Sequence, residues 1–195
     1  MINKVRNFYD LMKNKVTTLF MLNFYDILCS ENVKFHNFST IVKHKNSKII
    51  IGENTLINSS NFGYHLNMHS KCKIIADRPN ASITIGSNCR IHGTCIHAFK
   101  EIHIGNNVLI AANTQIIDAN GHLLSMENPI DRLKYSDEGR TITICDNVWI
   151  GANSIILGGV TIGAGSIISA GSVVKNNVPE KSIFGGNPAI LIKQY

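Results

Sequence analysis

Long apolar runs are absent from this chain of 195 residues. No stretch approaches the roughly 18 consecutive apolar residues that a bilayer-spanning helix requires, so no membrane-spanning segment is expected. The opening, MINKVRNFYDLMKNK, lacks the apolar core of a secretory leader, and none is expected. The five cysteines, Cys29, Cys72, Cys89, Cys95 and Cys145, include no CxxC pair. Cys89 and Cys95 read as small buried hydrophobes rather than disulfides or metal ligands, and the chain reads as a protein of the reducing cytoplasm. A Gly-rich phosphate loop is also missing, which argues against a Rossmann-type nucleotide domain. Acidic residues are scarce at the start: residues 1–50 hold eight Lys/Arg against three Asp/Glu, whereas the other 145 hold eleven against ten. Five of the six net positive charges therefore belong to the N-terminal segment. No recognition motif accompanies it, so nucleic-acid binding is not expected; an anionic lipid surface or nucleotide-linked substrate fits the charge at least as well.

What the chain does have is a beat of six. Aliphatic residues fall at Ile144, Ile150, Ile156, Ile162, Ile168 and Val174 without a slip. Two residues before each following beat stands a small or β-branched residue: Val148, Ser154, Val160, Ser166, Ser172 and Val178. The beat extends back through Ile85, Ile91, Ile104, Ile110 and Ile116, with Cys89, Cys95, Val108 and Thr114 in the small position, and more weakly to Ile51 and Ile57, with Thr55 and Asn61. A fixed internal period marks a repeat architecture. Period six matches neither an amphipathic helix nor strand alternation. It matches a β-helix in which each hexad forms one short flat side and a turn: the aliphatic residue points to the axis, the small residue fills the corner, and Gly or Asn takes the turn.

The beat is interrupted briefly around 97–103 and at length over about 120–141, a charged segment containing Pro129. A long non-repeat segment in a repeat array maps to a protruding loop, often on the functional face. Residues 1–30 read as helical, with Val5, Phe8, Leu11, Met12, Phe20, Leu22, Phe24 and Leu28 as apolar positions and Lys4, Arg6, Lys13 and Lys15 as basic ones. Capping of an open β-helix end is the favoured role, because solenoid ends need caps; peripheral contact with a membrane surface is the other. The expected division is a basic helical cap over 1–45 and a β-helix over 46–195.

At ICDNVWIGANSIILGGVTIGAGSIISAGSVV (144–174), followed by VPEKSIFGGNPAILIK (178–193), the chain resembles the hexapeptide-repeat acyltransferases. The resemblance is specific over 104–193, looser over about 50–103, and does not extend over 1–45. It is strongest to the maltose/galactoside type of sugar O-acetyltransferase and to acetyltransferases of capsule and lipopolysaccharide synthesis. It implies an all-β, left-handed parallel β-helix, acetyl-CoA as acyl donor, a sugar or saccharide acceptor and a homotrimer, with no metal. Handedness comes from the resemblance alone, since left-handed crossovers run against the usual preference.

The resemblance places the catalytic base at His122, within IIDANGHLLS. Histidine suits the task because its pKa lies near neutrality. Its other ring nitrogen needs an acceptor, and Asp118 and the loop's backbone carbonyls are both candidates. The family's acceptor-positioning Asn and Asp fall one coil earlier, where this chain reads HGTCIHAFK (92–100) without a carboxylate. Asn120, His92 and His97 are left as the candidate substrate contacts. For the cofactor, the resemblance implies that Trp149, the single tryptophan, flanks a slot lined by Gly151, Ala152 and Ala170, where small residues admit close approach to the main chain. Lys175, Lys193 and, by charge alone, Arg140 are the candidate phosphate contacts.

Three further readings compete. His92, His97 and His103 raise a zinc site of the kind in γ-class carbonic anhydrases, but a convincingly spaced upstream ligand is missing and metal binding is not expected. N-acetylation of an amino sugar is the first alternative to O-acetylation. A non-catalytic β-helix scaffold is the second, and His122 argues against it.

Overall fold

The computed structural model describes residues 2–195, with side chains from Asn7 onward; the positions read as Lys4, Val5 and Arg6 contribute side chains outside the described residues. Three parallel sheets form the sides of a β-helix of six coils. The first face runs from Leu28–Cys29 to Thr161–Ile162, the second from Lys34–His36 through Trp149–Ile150 to Ile167–Ile168, and the third from Thr40–Lys43 to Val173–Val174. At the far end Ser182–Gly185 extends the second face, and Ile190–Gln194 pairs with it antiparallel.

The six-residue beat becomes three ladders. On the first face Ile51, Ile85, Ile104, Ile144 and Ile162 stand in register. On the second, Ile57, Ile91, Ile110, Ile150 and Ile168 do so. On the third, Ile74, Ile96, Ile116, Ile156 and Val174 complete the core. All fifteen are at most 1% exposed, and each such burial is worth about 1.5–3 kcal/mol. Their neighbours on each strand point outward, so the outer surface of every face is free to carry chemistry.

The small positions fill the corners, as Val148 and Val160 do at 1% exposure, and where they are polar they also hydrogen-bond to the turn. Ser154 Oγ donates to the Gly151 carbonyl at 2.8 Å, and Ser172 Oγ to the Ser169 carbonyl at 2.6 Å. At the corner between first and second faces the backbone turns left-handed at Asn54, Asn88, Asn107 and Asn147, with φ between 57° and 61°. Asparagine tolerates that region better than other side chains.

The structure departs from the expected pattern in four places. Coils begin at Leu28 rather than at residue 46: Val33, Phe35, Ser39 and Ile41 fill inward positions in the first one. Phe35 replaces the aliphatic residue there, and so the beat is invisible to a six-spaced search. Cys95 is half-buried and outward; Thr94 takes the corner slot, because Gly93, at φ +49°, brings the next inward residue, Ile96, forward by one. The break read at 97–103 is no interruption: residues 98–100 make an ordinary corner between Cys95–His97 and Glu101–Ile104. An excursion that the periodicity did not flag leaves the second face after Leu56–Asn58 and returns at Lys73–Ala76.

Helix α1 (Ile2–Phe24) covers the open end of the first coil. Thr18 Oγ1 accepts from the Phe35 N–H at 2.9 Å and donates to the Phe35 carbonyl, and Asn14 accepts from the Asn37 N–H. Among the described residues of the helix only Thr17 and Met21 are fully buried. Among the described residues no helix is long and apolar enough to cross a membrane.

Candidate active site

A cavity of about 1090 Å³ lies on the outer surface of the second face. The register Leu109, Trp149, Ile167 places three outward apolar side chains one coil apart along its wall. Gly151, Ala152 and Ala170 lie beside them. The excursion between residues 58 and 73 folds back over this face, so Tyr64 and His65 also line the cavity, and α1 contributes Asp10 and Asn14 at the other end. Tyr64 packs against the small cluster of Met68, Ala112 and Ala152. The excursion is tied down by amides: Asn61 brackets the Met68 backbone, while Asn113 accepts from the His69 N–H and donates to the Asn67 carbonyl.

His92 is the polar centre of this wall. Its ring stacks on Tyr64 at 4.1 Å with 10° between planes. Asn58 Oδ1 accepts from the Ser60 N–H, which leaves the Asn58 amide nitrogen to face His92 Nδ1 at 3.1 Å. An amide nitrogen only donates, so Nδ1 carries the lone pair and Nε2 carries the hydrogen. Burial, reinforced by Arg90, His65 and His36, lowers its pKa to about 4. At neutral pH His92 is an uncharged hydrogen-bond donor.

His122 occupies the other large excursion, 118–141, which includes the short helix α2 (Asp131–Lys134). The Asp137 carboxylate accepts from the backbone N–H groups of Asn120 and Gly121, at 2.8 and 3.0 Å, and closes the base of that loop. His122 is exposed, and its Nδ1 lies 2.7 Å from the Arg132 carbonyl oxygen. A carbonyl only accepts, so Nδ1 bears the hydrogen and Nε2 the lone pair.

Asp118 does not orient His122. It is 1% exposed, and its carboxylate accepts from the N–H groups of Phe99, Lys100 and Glu101 at 2.7–2.9 Å. Burial pushes its pKa up while those three donors pull it back. It holds the loop to the neighbouring corner; of the two candidates for orienting the base, the backbone carbonyl is the one in contact. The side chain of Asn120 is likewise engaged within the loop, donating to Asp137 at 3.2 Å.

The other expected residues divide. Trp149, Gly151, Ala152, Ala170 and His92 share the cavity. His122, Asn120, His97, Arg140, Lys175 and Lys193 do not line it. Gly151 has a structural reason to be small beside the expected one: a Cβ there would lie 2.4 Å from the Ala170 backbone nitrogen, so glycine lets successive coils stack. Lys193 rests its ammonium over the Tyr195 ring at 4.1 Å. His92, His97 and His103 sit on the second, third and first faces respectively, and so do not converge within one chain. His97 instead meets Asp77 at 3.2 Å. Tyr64, Asn58 and His65 escaped the sequence reading; the one available signal was the long gap in the beat between Ile57 and Ile74.

Residues 141–176 match the family described as bacterial transferase hexapeptide (six repeats). The chain is 33% identical over 166 residues, 83% of its own length and 79% of the other's, to YJL218W of Saccharomyces cerevisiae, a protein named as an acetyltransferase. It is 40% identical over 93 residues to the galactoside O-acetyltransferase of Escherichia coli K12, a match spanning 48% of this chain and 44% of that one. Against that bacterial relative the chain therefore spans less than half of the length. A solved structure of AntD, an N-acyltransferase from Bacillus cereus in complex with dTDP and Coenzyme A, superposes with a TM-score of 0.66 at 24% identity, covering 89% of this chain and 88% of that one. That likeness is one of fold.

Proposed function

The chain belongs to the hexapeptide-repeat acyltransferases, and on that footing we propose that it transfers an acetyl group from acetyl-CoA to a sugar hydroxyl in surface polysaccharide synthesis, with His122 as general base. The left-handed winding of the coils is part of the same proposal. The observation that carries it is the contact between His122 Nδ1 and the Arg132 carbonyl. It holds the imidazole in the tautomer whose Nε2 can take a proton. As Nε2 removes the hydroxyl proton, the oxygen attacks the thioester carbonyl carbon. The tetrahedral intermediate collapses with cleavage of the carbon–sulfur bond, and the departing CoA thiolate recovers the proton from the imidazolium. No acyl-enzyme is formed.

The donor site is assigned to the second-face cavity. Trp149 and the backbone beside Gly151, Ala152 and Ala170 offer an apolar channel for the pantetheine arm. Lys175, Lys193 and Arg140, all exposed, are assigned to the phosphates at the nucleotide end. The binding of Coenzyme A by a protein of the same fold supports the donor. His122 lies outside the cavity of its own chain. The proposal therefore includes a homotrimer, in which a neighbour's loop brings the base to each cavity. Five unpaired cysteines suit the cytoplasm as the place of reaction.

N-acylation of an amino sugar is the second reading, favoured by the superposition with AntD. Both are tested by measuring CoA release from acetyl-CoA across neutral, amino and nucleotide-linked sugars, with His122→Ala beside the parent chain. Hydroxyl-dependent release that the variant loses supports O-acetylation. Release only with amino sugars moves the assignment to N-acylation. Equal release from parent and variant removes His122 from the mechanism.

A further inference from the structure

We propose that α1 is an interfacial anchor which seats the protein on an anionic phospholipid bilayer. The inference concerns a different surface from the acetyl-transfer site and does not depend on the acetyl-transfer reading.

The helix has two unlike sides. Thr17 and Met21 face the first coil, and Asp10 and Asn14 face the cavity. On the opposite side Phe8, Met12, Val16 and Leu19 recur at helical spacing and are 65%, 44%, 61% and 62% exposed. Tyr9 and Phe20 widen this stripe along one flank; Phe20 stacks on Phe24 at 4.8 Å and meets Phe38 edge-on at 5.5 Å, which joins that flank to the first coil. Among the described residues none covers Phe8, Met12, Val16 or Leu19. A helix carrying an uncovered apolar side of this width has an apolar partner.

Charge identifies the partner. Lys15 stands one turn before Leu19 at one edge of the stripe, and Lys13 one turn after Tyr9 at the other. Both are exposed. The nearest acid on α1, Asp10, belongs to the cavity side, and Asp26 is already paired with Lys43 at 2.6 Å. A second α1 laid against this one about a two-fold axis would oppose like charges across the contact. An anionic lipid surface complements them, and an apolar stripe edged by lysines is the pattern of a helix lying in the headgroup boundary. Because no described helix can cross a membrane, α1 would lie in the interface plane. The same helix walls one end of the cavity, so docking would hold that end close to the bilayer.

The test is cosedimentation of the full-length protein with vesicles of phosphatidylcholine alone and of phosphatidylcholine containing phosphatidylglycerol. Binding should require the anionic lipid and weaken with salt. Lys13→Glu/Lys15→Glu should lower the partition coefficient on the order of ten-fold. Phe8→Ser/Met12→Ser should lower it comparably while leaving the circular dichroism spectrum and the solution mass unchanged, since both side chains are outside the core. No cosedimentation with either vesicle overturns the proposal. So does a fall in solution mass for Phe8→Ser/Met12→Ser, which would assign the stripe to contact between copies of the chain.

Discussion

His122 Nδ1 stands 2.7 Å from the backbone carbonyl oxygen of Arg132, across a turn of the long excursion. The carbonyl fixes which way the imidazole points and which ring nitrogen faces outward. Replacing His122 by Ala should lower the rate of acetyl transfer by about 10²–10⁴-fold. The side chain is exposed, so the unfolding midpoint should move little. Steady-state CoA release and a thermal melt on the same preparation check both halves.

Asp118 offers the reverse pattern. Its carboxylate serves three backbone donors. In Asp118→Asn an amide NH₂ must face at least one N–H, which should cost about 1–3 kcal/mol. Denaturant titration should show this loss. A variant as stable as the parent would mean that the corner at Phe99–Glu101 is held by something else.

The stack of His92 on Tyr64 predicts a dependence of stability on pH. Burial first, then Arg90, His65 and His36, lower the folded-state pKa to about 4, whereas the free side chain titrates at 6.5. Between these values the unfolded chain binds the proton and the folded chain refuses it. Stability should therefore fall as the pH is lowered from about 6.5 toward 4, and His92→Gln should flatten that limb. Melting temperatures of the two proteins across this range decide the matter.

Gly151 should resist even alanine. A Cβ placed 2.4 Å from the Ala170 nitrogen would force two coils apart, backbone against backbone. The expected destabilisation is about 1–3 kcal/mol, the ordinary range for overpacking. Gly121→Ala, where no atom lies within 4 Å of the new methyl, is the control: its positive φ strains only the loop.

Trp149 is the single tryptophan and is half exposed on the cavity wall. Intrinsic fluorescence therefore reports directly on that wall. Titration with acetyl-CoA should change its intensity or emission maximum in a saturable way. A spectrum unmoved at saturating donor would take the pantetheine arm off this face.

The core was legible because it is repetitive. Ile144 to Val174 announce inward positions at a constant spacing, and every one of them is buried. Legibility failed where the period bent. Phe35 stands in an aliphatic position, Gly93 shortens a corner so that Ile96 arrives early, and the excursion after Asn58 interrupts the count. The cavity suffered most, since no spacing links Asn58 and Tyr64, on and beyond the second face, to His92 one coil later.

Local order in the sequence thus determined the β-helix, its inward ladders, and His122 as the histidine of the long loop. Each of these follows from residues near one another along the chain, where spacing alone sets which side chain faces the axis. Only the tertiary structure decided that Asp118 holds a corner instead of the base, that Gly151 serves coil stacking, and that α1 and the excursion beyond Asn58 complete a cavity with Trp149. These are relations between coils, and a contact between coils depends on stacking register, which no local spacing encodes.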